Sequence, residues 1–149
     1  MQKIDVTIAK LRLLLADISA KEQQHTAMLR QFREQQRRAV EYGIYGDNSL
    51  EGTLGLMDEI RQRMTATEAT LGDLGLIRSR AERELESLQL TRRIEAARTE
   101  LQTLLTRQRE LEDGNDDRSE RTELAGQIRE LQQQINEASE HAARTISRR

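Results

Sequence analysis

Apolar side chains recur at alternating spacings of three and four residues along three long stretches of the chain. This spacing places them on one face of an α-helix and gives the 3.5-residue period of a coiled coil. The seam of the first stretch runs through Ile4, Ile8, Leu11, Leu15, Ile18, Glu22, His25, Leu29, Phe32, Gln36 and Ala39. The seam of the second runs through Met57, Ile60, Met64, Thr67, Leu71, Leu74, Ile77, Ala81, Leu85 and Leu88. The pattern predicts helices over about residues 4–41, 53–112 and 118–147.

The end of the second stretch and the whole of the third mirror each other about the turn between them. The mirrored pairs run from Leu111 with Leu124 to Leu90 with Ile146, and the residue numbers of each pair sum to 235 or 236. Two such series describe antiparallel helices whose apolar layers meet one by one. The sequence therefore predicts an all-α fold, an elongated antiparallel coiled-coil or helical-hairpin bundle of three helices, as a single domain over residues 1–149.

The helices are separated by two polar segments, at 42–55 and 113–117. The first holds four of the eight glycines, and Asp47, Asn48 or Ser49 can cap the helix that follows. In the second, Asp117 with Glu120 has the spacing of a capping box. We expect a turn at each segment.

The long central helix carries two sequence irregularities. Gly72 and Gly75 each cost about 1 kcal/mol relative to alanine inside a helix, but the apolar phase continues across both. We expect the helix to continue through them, the alternative being a break. Near Leu88 to Leu90 the phase slips, and there the central helix is expected to exchange the first helix for the third as its partner.

Composition favours an elongated helical protein over a compact globule. Of the 149 residues, 36% are hydrophobic, 34% are charged and three are aromatic, which suits a seam one side chain wide. Proline, which would interrupt a long helix, is absent, and so is cysteine, which excludes disulfides and thiolate chemistry. Charged residues interrupt the apolar N-terminal segment, so we expect no signal sequence or membrane span and a cytoplasmic location.

A second apolar stripe follows the first helix on the side opposite its seam. Small residues at this spacing permit close approach of another backbone, and a helix with one neighbour does not need them. The stripe comprises Val6, Ala9, Leu13, Ala16, Ala20 and Ala27. We expect it to mediate self-association, most simply as a homodimer. Alternatively, its alanines serve only as helix formers and its larger residues are scattered on the surface.

The turn after the first helix is the candidate docking site for a partner protein. Tyr42, Ile44 and Tyr45 lie there among glycines, with several leucines following. Tyrosine is enriched in binding hot spots, and loop tips often carry function. Alternatively, these side chains only cover the end of the bundle.

Two other groups of residues suggest chemistry more weakly. Glu22 and His25 have the Glu-x-x-His spacing of carboxylate-bridged metal bundles, but the expected opposite positions, Leu71 and Leu74, are apolar, so a polar layer that fixes register is the simpler interpretation. The basic cluster at 30–38 has no aromatic residue available to stack bases, because Phe32 belongs to the seam, and 26 acidic residues outnumber 24 basic ones. We expect no metal, no cofactor and no nucleic-acid partner.

The pattern as a whole indicates a non-enzymatic protein. No phosphate-binding glycine loop and no nucleophile with a nearby base is present, and the two histidines are far apart in sequence. We expect a structural or adaptor coiled coil that binds another protein and self-associates. The alternatives are a helical protein that assembles on a membrane surface through residues 1–20 and, less favoured, a metal-binding bundle.

Overall fold

The chain is all-helical over the part that the structure describes. A computed structural model describes residues 2–46, 49–113 and 118–147. They form three α-helices: α1 (Gln2–Tyr45), α2 (Leu50–Asp113) and α3 (Arg118–Ser147). The described residues include no β-strand, so the predicted all-α class is confirmed.

The connection between α1 and α2 is shorter than the turn predicted over 42–55. The helical hydrogen-bond pattern continues at the end of α1, where the Gly46 amide donates to the Tyr42 carbonyl at 2.9 Å. At the start of α2, the Gly52 amide donates to the Ser49 hydroxyl at 3.1 Å, so Ser49 is the N-cap. The other two candidate caps, Asp47 and Asn48, lie outside the described residues. Of the turn predicted over 113–117, Asp113 is the last residue of α2, and the rest, with the cap Asp117, lies outside the described residues.

Helix α2 passes through Gly72 and Gly75 without a break and is 64 residues long. A Cβ atom added at either glycine would meet nothing within 4 Å, so neither glycine is needed for packing inside the chain. The apolar phase on both sides therefore belongs to one helix.

Contacts divide the chain into two compact units, residues 10–82 and residues 1–9 with 83–149. The first contains parts of α1 and α2, and its buried side chains include Ile18, Leu29, Ala39 and Ile60. Across this unit, the Arg78 guanidinium lies 3.3 Å from a Glu22 carboxylate oxygen.

The second unit combines the start of α1, the end of α2 and α3. Ile8, Leu90, Leu124, Ile128 and Leu131 form its core, each at most 8% exposed. Four consecutive residues of α2, 87–90, are half-buried or buried, and at 100° per residue they cover most of the helix circumference. A salt bridge between Arg92 and Asp5 at 3.2 Å joins α2 to α1 here, and a contact of 3.0 Å between Glu86 and Nε2 of His141 joins α2 to α3. The two partners of α2 therefore overlap in this region.

The Glu86–His141 contact corrects the predicted register of α2 and α3. If Leu90 were level with Ile146, Glu86 would be level with a position nine residues beyond His141, or roughly 13 Å along the helix. The two side chains cannot span that distance. The contact instead shows that α3 is displaced along α2 by at least one layer from the predicted register. Because apolar layers repeat every 3.5 residues, apolar positions meet in both registers and the sequence pattern does not separate them.

Candidate protein interaction surfaces

The second stripe of α1 lies on the protein surface. Leu13 is 71% exposed and Val6 is 53% exposed. The alanines of the stripe, Ala9, Ala16, Ala20 and Ala27, are exposed as well. The seam on the opposite side of the same helix is buried at Ile8, Ile18 and Leu29. The helix therefore covers one apolar face and leaves the other in water.

Apolar side chains also cluster around the connection between α1 and α2, which we call the tip. Tyr42 is 63% exposed and Ile44 is 66% exposed. The side chain of Tyr45, the third predicted docking residue, lies outside the described part of the structure. Other exposed large apolar residues at the tip are Val40, Leu50, Leu54 and Leu56.

An open groove of about 530 Å³ lies between α1 and α2 beside the tip. Its lining includes Ala39, Tyr42, Leu56 and Ile60, with Arg38 contributing a positive charge. Close approach of the helices near the tip depends on Gly43, because a Cβ atom there would lie 2.6 Å from Cγ2 of Thr53. The groove offers a partner both apolar and cationic contacts.

Ion pairs within α1 neutralise part of the basic cluster at 30–38. Arg37 contacts Glu34 at 2.6 Å and Glu41 at 2.8 Å, and Arg38 contacts Glu34 at 3.3 Å. The hydrogen bond from Arg37, together with the charges of both arginines, lowers the pKa of Glu34, and the same contact raises the pKa of Arg37. These carboxylates reduce the positive field that a nucleic-acid backbone would meet.

Glu22 and His25 point their polar atoms to different partners. One Glu22 oxygen lies near Arg78, while its Oε1 is buried without a hydrogen-bond partner. Nδ1 of His25 lies 2.8 Å from the Lys21 carbonyl and donates to it in the appropriate tautomer. Among the described residues, no three His, Cys, Asp or Glu side chains form a group that could hold a metal ion.

Two residues of α2 lie where the sequence analysis did not place them. Ile77 was assigned to the seam but is 49% exposed, and Leu76 is 72% exposed. The three-and-four spacing continues from Leu74 to position 78, so the seam position falls on Arg78, which pairs with Glu22. Ile77 is therefore turned about 100° away from the seam.

Leu76 belongs to an uncovered face of α2 that the sequence analysis missed. Thr65, Ala69 and Gly72 lie on the same face at three-and-four spacing, and all are exposed. Thr67 and Ala81, on the opposite side of the helix, are buried. The three-and-four spacing of these positions is present in the sequence. It was overlooked because threonine, alanine and glycine are only weakly hydrophobic.

Within the described residues, no helix combines the length and hydrophobicity needed to cross a membrane. The chain shows no significant match to a family model, to a curated protein sequence or to a solved structure.

Proposed function

We propose that this protein is a non-enzymatic structural adaptor that binds other proteins and associates with copies of itself. The observation that carries the proposal is the concentration of uncovered apolar side chains on the outer stripe of α1, on α2 around Leu76 and at the tip. Contiguous exposed apolar surface is typical of protein interaction sites, whereas single exposed residues are not informative.

The architecture we propose for this adaptor is the elongated antiparallel coiled-coil hairpin. Side-chain contacts in each unit support it. Glu22 meets Arg78 and Gly43 lies near Thr53, so positions later in α1 meet positions earlier in α2. Likewise, Glu86 meets His141 and Arg107 meets Glu120 at 3.0 Å. In each pair of helices, residue numbers increase along one helix while those of the contacting residues decrease along the other. This is the pattern of antiparallel helices.

Docking at the tip would use Tyr42, Ile44 and Tyr45. An aromatic ring and an aliphatic side chain beside an apolar groove with a cationic rim resemble the hot spots of protein interfaces. A photoreactive residue placed at Ile44 tests this in cells. A discrete adduct with one partner protein is expected from position 44 and none from the exposed position Arg98, whereas equal labelling at both positions would contradict tip docking.

Self-association is tested by solution mass. Light scattering over a concentration series should show an assembly for the wild type and a monomer for the double variant Val6→Glu, Leu13→Glu, because a carboxylate on the stripe would be desolvated in an interface. Circular dichroism verifies that the variant remains helical. A wild type that stays monomeric at every concentration would exclude self-association.

The proposed membrane-surface alternative makes a separate prediction. If residues 1–20 bind lipid, the wild type should float with anionic vesicles and the Val6→Glu, Leu13→Glu variant should not.

A further inference from the structure

The two most exposed leucines of residues 10–82 occupy two different uncovered helix faces. Leu13 lies on the outer stripe of α1 and Leu76 on the uncovered face of α2, at 71% and 72% exposure. Each face is turned away from the seam of its own helix, so the two faces do not meet within one chain. Each is available to a second molecule.

The two faces have mirrored spacing. Along α1, Ala9, Leu13, Ala16 and Ala20 follow one another by steps of four, three and four, and the residues of the α2 face have the same steps in either direction. If α1 of one copy lies antiparallel to α2 of another, the layers pair Ala9 with Leu76, Leu13 with Gly72, Ala16 with Ala69, and Ala20 with Thr65. All these residue numbers sum to the same value, 85.

Side-chain sizes are complementary in this pairing. Leu13 meets Gly72, and Leu76 meets Ala9, so each large side chain faces a small residue. A glycine inside a helix is less favourable than an alanine. Gly72 makes no contact in its own chain that a Cβ atom would disturb. In the proposed pairing, Leu13 of a neighbouring copy packs against the Gly72 backbone and fills the space that a side chain would occupy.

The charges of the two faces are also complementary. Residues 9–21 of α1 carry the basic side chains Lys10, Arg12 and Lys21 against the single acidic Asp17. Residues 65–76 of α2 carry Glu68 and Asp73 and no basic residue. In the antiparallel pairing, Lys10 lies about one turn or less from Asp73 along the shared axis.

These charges have no ionic partner among the residues that the structure describes. Among the described residues, none of the six forms an intramolecular salt bridge, although many other charged side chains do. A two-fold contact of α1 with α1 would leave Leu76, Glu68 and Asp73 without a partner. Pairing α1 with α2 of another copy gives all three a partner.

Building on the self-association proposed above, we infer that copies of this chain assemble head to tail, with the outer stripe of α1 in one copy packed on the Thr65–Leu76 face of α2 in the next. This contact is heterologous, because the two copies contribute different surfaces. Each copy offers one α1 face and one α2 face. The rotation between successive copies determines whether the assembly closes into a ring or continues as an open filament.

Mixing two single variants tests this pairing. Leu13→Glu blocks only the α1 face and Leu76→Glu only the α2 face, so each variant alone should be monomeric by sedimentation velocity. An equimolar mixture should form a heterodimer and stop there, because it joins one intact α1 face to one intact α2 face. Leu50→Glu is the matched control, since Leu50 is a leucine of equal exposure, 70%, at the tip. It should assemble like the wild type.

The alternative outcomes are distinguishable. If Leu76→Glu assembles as the wild type does while Leu13→Glu is monomeric, this pairing is overturned but self-association through α1 stands. If both variants are monomeric and their mixture stays monomeric, the pairing is also overturned. If the wild type never assembles, both this inference and the proposed self-association fail.

Gly72→Leu provides a test that does not depend on loss of folding. The added side chain has room in the isolated chain but would collide with Leu13 of the neighbour. Loss of assembly at unchanged helix content is expected. Assembly equal to that of the wild type would overturn the pairing.

Discussion

Residues 83–149 and residues 10–82 share the same three-and-four apolar pattern but cover their apolar side chains differently. Among the described residues of 83–149, every leucine and isoleucine is buried or half-buried. Among the described residues of 10–82, eleven large apolar side chains are exposed, including Leu13, Leu50 and Leu76. The first region belongs to a unit that brings together three helical segments, whereas the second contains only two. The comparison places most of the uncovered apolar surface in 10–82, the region in which we propose that a second copy binds.

The largest expected contrast concerns equivalent truncations in the two regions. Ile128 in α3 is 7% exposed. The Ile128→Ala variant should have an unfolding free energy about 2–4 kcal/mol lower than that of the wild type, because the substitution removes buried apolar atoms and leaves a cavity. Leu76→Ala should change the stability by less than about 0.5 kcal/mol at a concentration where the chain is monomeric. Urea titration followed by circular dichroism measures both. Similar losses for the two variants would show that Leu76 is covered within the chain.

A smaller effect is expected from glycines of residues 10–82. Gly72→Ala should raise the unfolding free energy by about 0.5–1 kcal/mol, because alanine favours the helix and its Cβ meets nothing. Gly43→Ala is the matched control. It should lower stability, since its Cβ would lie 2.6 Å from Thr53 and the helices would have to separate. Thermal unfolding gives the order of the two variants, and stabilisation by Gly43→Ala would contradict the close approach near the tip.

The smallest effect concerns pH and the Glu34 ion pairs on the exposed face of α1. The pKa of Glu34 is lowered in the folded chain, mainly by the hydrogen bond from Arg37, so the pair stabilises the fold above the carboxyl's ordinary value of 4.5 and the contribution is lost as pH falls through the lowered pKa. Glu34→Gln should be slightly less stable than the wild type near neutral pH. The two proteins should converge in acid. A stability difference that persists in acid would assign the effect to something other than charge.

The sequence predicted the helices well because their signals are local. Periodic apolar residues, the absence of proline and a serine that caps α2 are all legible in the chain. The register of α2 and α3 could not be predicted from the sequence, because apolar positions of the two helices meet in neighbouring registers equally well. The Glu86–His141 contact, 55 positions apart in sequence, distinguishes them.

The candidate surfaces were predictable only in part. The stripe with Val6 and Leu13 could be predicted because large apolar residues on the side of a helix opposite its seam give a clear hydrophobic signal. Ile77 was wrongly placed in the seam because an isoleucine was favoured over the neighbouring Arg78, whose side chain reaches Glu22 in the folded chain. The α2 face around Gly72 was missed because its residues are small and weakly apolar.

The most direct measurement of whether a second copy covers the apolar surface of residues 10–82 is the rate of thiol alkylation. The chain has no cysteine, so Leu13→Cys, Leu76→Cys and Leu50→Cys each introduce a single reactive site. We expect alkylation at positions 13 and 76 to slow as protein concentration rises, while position 50 at the tip keeps a constant rate. Rates that are independent of concentration at all three positions would contradict self-association through these faces.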